Sequence, residues 1–559
     1  MDLRDIRETS VWALYEKGRN YCRMRNMYSE TDKNYRFYNG NQWEGAKLGD
    51  VEPVQKNFIK PIVKYKVSVI HDNLYAAVFS PQNFEYPTFQ EEASNICDML
   101  NRYASRVWEQ DRMDYKGRRV TKDAAINDEG VIYVDFDREK MLPINEIVDK
   151  CDIYYGNENS DEIQNQPYIL IRRRMPVINA RDLARTKGAS EERVATIIGD
   201  KDTFEESGES AKIEVDDQVT VIYKMWKEKG TVKFSIATRY CDIVSDKNMG
   251  IPVYPVAHFV WEEKKGSARG EGEVRYLIPN QIEVNRTEVR RVLTVKYQAF
   301  PQKVVDRSKI ANPDALSKVG GVIQTNGQPV DDVHKIVGTL PPAQMSPDVK
   351  MLQDDLINVT RDLAGAGDSA TGQIDPESAS GRAILAVQQA SQAPMTEQKE
   401  SFKTFVEDLA RIWLEYLIAY GVDGVDMEAS EVDPITGEET IEITKVSAES
   451  LKKLKTSVKV DVTPKSVYDR FAQEKTIENL LMNGLLTANR VGELEVYSRL
   501  LDDDAVAPKI KIKEAIRYIK EEQQRIAQIQ SDAQKLMQSA DPSLMEAPEG
   551  IPAMMPQMQ

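Results

Sequence analysis

The residues able to do chemistry are few and thinly grouped. Asp502, Asp503 and Asp504 stand side by side and could hold a divalent ion for hydrolysis. In a chain with 90 acidic residues, three adjacent carboxylates are more often a solvated turn. G-S-A-R-G-E-G at 266–272 looks like a phosphate cradle ahead of a helix. It lacks the βαβ context of such a loop, and Glu271 and Glu273 would repel a phosphate, so a flexible joint is the better reading. There is no G-x-x-x-x-G-K-[ST] loop, no G-x-S-x-G elbow and no kinase signature set. His71, His258 and His334 stand apart from one another and from H-E-x-x-H spacing, and each reads as a structural histidine. Cys22, Cys97, Cys151 and Cys241 are far apart with no C-x-x-C, which fits reduced thiols rather than a disulfide framework or a zinc site. N-R-T and N-V-T match the glycosylation pattern but fall within predicted helices. No constellation supports catalysis, and no cofactor or metal is implied. One stretch raises a binding question: Y-R-F-Y-N-G-N-Q-W at 35–43 is either an aromatic–basic patch that stacks on nucleic acid or the end of a helix.

Such candidates need elements to position them, and the periodicity supplies a layout. Residues 1–38, about 60–77 and 89–127 carry helical patterns. V-I-Y-V-D-F-D (131–137), Y-I-L-I-R-R-R (168–174), V-T-V-I-Y-K-M-W (219–226) and V-K-F-S-I-A-T (232–238) read as strands, the last two as a hairpin across Glu228–Gly230. Short helices fall within 178–199. The first 265 residues therefore form one α+β domain. From residue 274 a helix runs to Pro301, about 40 Å at ~1.5 Å per residue. Its apolar arc is Ile278, Ile282, Val289, Val292 and Leu293, and its polar face Glu283, Thr287, Arg290 and Thr294. Residues 301–342 form a compact insert of short strand-like pieces, K-V-V-D, V-G-G-V-I-Q-T and H-K-I-V.

A second long helix follows, with Ser346 as N-cap, Pro347 as first residue and Asp348 in the first turn. Val349, Leu352, Leu356, Val359 and Leu363 repeat at 3,4,3,4 spacing, a heptad seam. Asp354, Asp355, Asn358, Arg361 and Asp362 cover the opposite face. A small-residue loop occupies 364–378. A helix broken at Pro394 runs to Tyr420, then a β-hairpin around 434–437 and a short helix. The pattern is helical from Ser466 to about Ser539, and the last residues are Pro/Met-rich and expected to be disordered. There is no internal repeat.

Composition limits the function classes. The chain has 559 residues and a net charge of −16. Phosphate neutralisation supplies most non-specific DNA affinity, so the chain does not grip nucleic acid by overall charge. No stretch approaches the ~18 apolar residues of a membrane span. The N-terminus has no apolar signal region, so export by that route is not expected.

The order of parts is the strongest signal: α+β domain, long helix, small insert, long helix, Gly-rich loop, broken long helix, helical C-terminus. With Y-N-G-N-Q-W followed by N-F-I-K-P-I-V, P-V-Y-P-V-A-H-F-V-W running into G-E-G-E-V-R-Y-L-I-P-N-Q-I-E-V-N-R, and S-A-S-G-R-A-I, this order resembles the portal, or head–tail connector, proteins of tailed bacteriophages. The resemblance covers about residues 30 to 530. It implies an α+β, multi-domain fold with long stem helices, a small β-containing clip, an α/β wing and a helical crown. The wing would be 1–270 and 379–464, the stem helices 271–300 and 343–363, the clip 301–342, the tunnel loop 364–378, the crown 465–540 and the tail 541–559.

The implied function is a ring, usually of twelve subunits, at one capsid vertex, through which double-stranded DNA is packaged and ejected. Implied partners are the terminase large subunit, then a head-completion or adaptor protein, with the major capsid and scaffolding proteins and no membrane. The implied location is the virion, with assembly in the host cytoplasm. Gly367, Asp368, Ser369, Thr371 and Gln373 would face DNA from the tunnel loop. Asp354, Asp355, Asn358, Arg361 and Asp362 would line the channel, unless that face meets the neighbouring subunit. Lys309, Asp314, Lys318 and Asp331 would meet terminase or adaptor. Arg290 and Arg291 are alternative candidates for salt bridges between subunits. Another phage structural protein, of tail or scaffold, and a metal-dependent nuclease are the competing readings. Within the portal reading, Y-R-F-Y-N-G-N-Q-W closes a wing helix, with Asn39-Gly40 as its left-handed cap.

Overall fold

The computed structural model describes residues 9–46, 51–71, 75, 77–81, 87–200, 217–300, 302–318, 320–327, 336–341, 344–367, 393–422, 424–432, 439–455 and 458–462. The chain divides into two compact units, Met1–Pro464 and Lys465–Gln559. The predicted crown and tail, Asp502–Asp504, S-A-S-G-R-A-I and His334 lie outside the described residues.

The N-terminal helices are α1 (Val11–Met24) and α2 (Met27–Asn39). The single helix expected over 1–38 is broken because Asn26 takes a left-handed conformation, φ 56°, which asparagine tolerates better than most residues. Gly40 (φ 98°) caps α2, its N–H donating to the Arg36 carbonyl. Then come α3 (Ile59–Ile70), β1 (Ala77–Pro81), α4 (Pro87–Gln110) and α5 (Met113–Ile126). The helix expected over 89–127 is likewise two, separated at Arg112 with φ 51°.

Two antiparallel sheets form the body. The first has strand order β3-β2-β9, with β2 (Glu129–Asp137) paired to β3 (Leu142–Val148) and to β9 (Val256–Val260). The second is a five-stranded meander of β4 (Ile153–Tyr155), β5 (Ile169–Pro176), β6 (Gln218–Glu228), β7 (Thr231–Ala237) and β8 (Asp242–Asn248). The β6–β7 hairpin turns at Lys229-Gly230, both with positive φ, as a type I′ turn demands. Strand β6 is covered on both faces. Ile222 and Trp226 pack with Leu14 and Tyr15 of α1. Val219 and Val221 pack with α6 (Val177–Thr186) and α7 (Glu191–Ala195).

The long helices come next: α8 (Glu273–Ala299) and α9 (Asp348–Leu363), separated by a small insert. In the insert, β10 (Lys303–Val305) pairs with β11 (Val337–Thr339). V-G-G-V-I-Q-T, expected as a strand, makes one isolated bridge among the described residues, Thr325 to Ile310. The chain then returns to the body. Helix α10 (Thr396–Tyr420) packs on β2 and β9. Trp413 Nε1 donates to Asn145 Oδ1 at 3.0 Å and Tyr416 O–H to the Val134 carbonyl at 2.9 Å. The hairpin of β12 (Val425–Val432) and β13 (Glu439–Val446), helix α11 (Ala448–Lys455) and β14 (Val458–Val462) follow. Strand β14 pairs with β1, joining residues nearly four hundred positions apart. The class is α+β, and every strand pairing described is antiparallel.

Candidate subunit and nucleic-acid interfaces

The base of α8 is fixed by buried charge. Arg269, 6% exposed, donates from Nη1 to Glu129, from Nε to Glu158 Oε2 at 3.0 Å and from Nη2 to the Ile153 carbonyl at 2.8 Å. Glu129 also meets His258 Nε2 at 2.8 Å and the Tyr155 hydroxyl at 3.1 Å. Burial alone would raise the Glu129 carboxyl, but Arg269 and His258 overcome it and hold it below the usual carboxylate range. Two glycines of the same loop have no room, although Gly266 is open: a Cβ on Gly270 would stand 2.4 Å from the Glu262 carbonyl oxygen, and one on Gly272 2.1 Å from that of Asn127. The flexible joint expected at 264–273 is therefore corrected to a packed joint around a buried guanidinium. His71 is also structural, its Nε2 lying 2.9 Å from Thr121 Oγ1. All four cysteines are unpaired, and burial raises the Cys22 and Cys97 thiols to about 11.

Further along α8, side-chain amides hold the segment after α2. Gln281 Oε1 accepts from Phe58 N–H at 3.1 Å, and its Nε2 donates to the Lys56 carbonyl at 2.7 Å. Asn285 Nδ2 donates to Gln42 Oε1 at 2.5 Å. Thus Gln42 of the 35–43 stretch helps hold α8 to the segment after α2.

Helices α8 and α9 run antiparallel, and polar groups mark their contact. Asn280 Nδ2 donates to Thr360 Oγ1 at 2.9 Å, and Arg291 Nη1 to Gln353 Oε1 at 2.7 Å. Gln353 Nε2 donates to Glu288 Oε2 at 2.9 Å, and Lys56 Nζ lies 3.0 Å from the same carboxylate. Arg291, a candidate for bridging subunits, is thus engaged within its own chain, while Arg290 is exposed.

Most of the apolar seam of α9 is not what packs on the body: Leu356 alone of the seam is half-buried against the core. The side chains buried in α9 are Gln353 and Thr360, whereas Leu352, Val359 and Leu363 are more than half exposed. At ~100° per residue, these three fall within about 40° of one another, and Gln353 and Thr360 lie roughly 90° round. Asp354, Asp355, Asn358 and Asp362, all exposed, with half-buried Arg361, occupy the remaining side. Helix α9 therefore has three surfaces: one for α8, one apolar and open, one acidic and open. Val292, Val295, Tyr297 and Phe300 leave the C-terminal half of α8 similarly uncovered. Of the predicted arc, Val289 is buried, Ile278 too, and Val292 exposed. Ser346 Oγ accepts from Asp348 N–H at 3.3 Å, as the cap expectation requires.

In the insert, Lys309, Asp314 and Lys318 are exposed, with Lys309 Nζ 3.5 Å from Asp306. Asp331 lies outside the described residues. So do Asp368, Ser369, Thr371 and Gln373; Gly367, the last residue before them, is buried.

An α+β body, a pair of antiparallel helices fixed to it and a small β-containing insert between them is the order of parts found in phage portal subunits. A family model described as "Phage P22-like portal protein" matches residues 17–559, and the chain belongs to that family. No curated protein matches the chain.

Proposed function

We propose that the chain is the subunit of a portal ring at one capsid vertex, and that the ring is the channel through which double-stranded DNA is packaged and ejected. Portal proteins are structural, and no catalytic role is assigned. The observation that carries the reading is the three-sided helix α9. A subunit in a closed ring needs a heterologous contact with its neighbour and a separate surface for the lumen. Leu352, Val359 and Leu363, with the uncovered half of α8, supply the first. Burying each such side chain is worth about 1.5–3 kcal/mol.

The acidic side, Asp354, Asp355, Asn358, Arg361 and Asp362, supplies the second; Asp368, Ser369, Thr371 and Gln373 are assigned to the lumen as well, whereas Gly367 is buried. DNA must slide past such a lumen. Each neutralised phosphate adds salt-dependent affinity, so a mostly acidic surface keeps every step from becoming a dissociation. Lys309, Asp314 and Lys318 are exposed on the insert, and with Asp331 they are assigned to the terminase large subunit and later to the head-completion or adaptor protein. The major capsid and scaffolding proteins would meet the wing during assembly in the host cytoplasm.

Mass photometry of the purified chain tests the ring. Twelve chains of 63.5 kDa give roughly 0.76 MDa, and negative-stain images should show rings with a central hole. Monomers, trimers or filaments alone would overturn the reading.

A further inference from the structure

A cavity of about 510 Å³ lies between α3 and α5, lined by Lys64, Arg118 and Lys122, with Tyr38, Tyr65 and His71 among its walls. Its size falls within the range of small-ligand sites. Its charge is unusual for this chain. The net balance is −16, and some cations elsewhere in the body meet carboxylates: Lys66 with Glu273, Lys150 with Asp128, Arg174 with Asp200. No ion pair among the described residues engages Lys64, Arg118 or Lys122. The carboxylates closest in effect are already committed: Asp114 accepts the Trp108 indole N–H at 2.9 Å, and Asp123 accepts the Tyr35 hydroxyl at 2.7 Å.

One of these cations, Lys122, is also positioned by an aromatic ring. The ammonium groups of Lys60 and Lys122 lie 5.7 and 5.5 Å from the ring centroid of Tyr38, within cation–π range. Both lysines therefore share one buried ring. Arg118 adds a planar fork suited to bidentate oxyanion contacts. The three cations of the lining, Lys64, Arg118 and Lys122, exceed what one carboxylate requires. They match closely spaced phosphates, and DNA carries one negative charge per ~1.7 Å of helix axis.

We propose that this cavity is a phosphate site on the wing, and that its ligand is the sugar–phosphate backbone of DNA held outside the channel. Its place outside the channel rests on the ring reading, whereas the phosphate site itself rests on one subunit's own cavity. It also returns a binding role to Tyr38, not by base stacking but as the platform on which two lysines are arranged.

The test uses the full chain and a fluorescein-labelled 30-base-pair duplex, titrated by anisotropy across a series of salt concentrations. The comparison is with a triple variant, Lys64→Gln, Arg118→Gln and Lys122→Gln. The wild type should bind more tightly at low salt, and the triple variant should lose about 0.9 in log–log salt slope for each cation engaged. A second arm titrates inorganic tripolyphosphate. If tripolyphosphate binds the wild type and not the variant while the duplex binds neither, the site takes phosphate from small molecules, and the DNA assignment falls. If neither probe distinguishes the proteins, the phosphate site itself is overturned. If the variant loses wild-type oligomers in mass photometry while its DNA binding is unchanged, the cavity is a contact for an acidic protein surface, which also overturns it. Should the triple variant melt early, the exposed single change Arg118→Gln carries the same comparison, with a slope change of about 0.9.

Discussion

The two ends of α8 are held in opposite ways. At its base, Arg269 sits in a buried cage of Glu129, Glu158 and backbone carbonyls, and glycines let the chain pass where no Cβ fits. Toward its C-terminal end, Val295, Tyr297 and Phe300 lie more than half exposed, and α9 beside it shows Leu352, Val359 and Leu363. The base is complete within one chain. The far end has the composition of a core and the exposure of a surface. Such a difference shows where a folded subunit is finished and where it still has apolar area to bury.

The sharpest way to break this comparison is at the base. Arg269→Met should destabilise the body by about 3–5 kcal/mol, because it leaves Glu129 buried without its main counter-charge. Chemical denaturation read by tryptophan fluorescence checks it, since Trp261 and Trp413 are both buried. A loss below about 1 kcal/mol would mean that the cage is not the anchor described here.

A smaller effect separates the two regions by pH. Burial, helped by Arg118, pushes the His71 imidazole down to about 4, against the opposing pull of Asp114 and a hydrogen bond at Gly117. The folded value lies below the unfolded one, so the unfolded chain takes up the proton first as pH falls. The contribution of neutral His71 is complete above about 6.5 and is lost progressively down to about 4, at most about 3 kcal/mol. His71→Gln should flatten that part of the stability–pH curve. An identical slope in wild type and variant would remove His71 from the account.

The smallest stability change belongs to the stem. Leu352→Ser with Leu363→Ser should alter unfolding of the single chain by less than about 0.5 kcal/mol, as for exposed positions generally. The same pair should shift mass photometry from rings toward single chains. If the double variant unfolds the chain instead, the seam is part of the subunit's own core and the comparison collapses.

Much of this was readable from residue patterns, for identifiable reasons. The β6–β7 hairpin and the Gly40 cap were visible because period-two alternation and a glycine after asparagine are local signals. The breaks at Asn26 and Arg112 were hidden because a single left-handed residue leaves the apolar periodicity almost unchanged. The Arg269 cage was hidden for another reason: Glu129 and Glu158 are 140 and 111 positions away, and no spacing rule links them. The heptad seam was seen, but a seam says only that something apolar packs there. It does not say whether the partner is α8, and Gln353 and Thr360 took that place. The cavity beside Tyr38 needed two helices brought together by the fold.

The return of the chain to the body has a consequence for synthesis. The face of the β3-β2-β9 sheet that α10 covers is complete once β9 has emerged, yet Tyr416 and Trp413 arrive only after the stem and insert have been made. About 160 residues separate the end of β9 from the end of α10, so at ~5–20 residues per second that apolar face stays bare on the ribosome for roughly 8–30 s. A nascent chain in that interval offers sticky sheet to any chaperone or sister chain within reach, and temperature or translation speed becomes a determinant of yield.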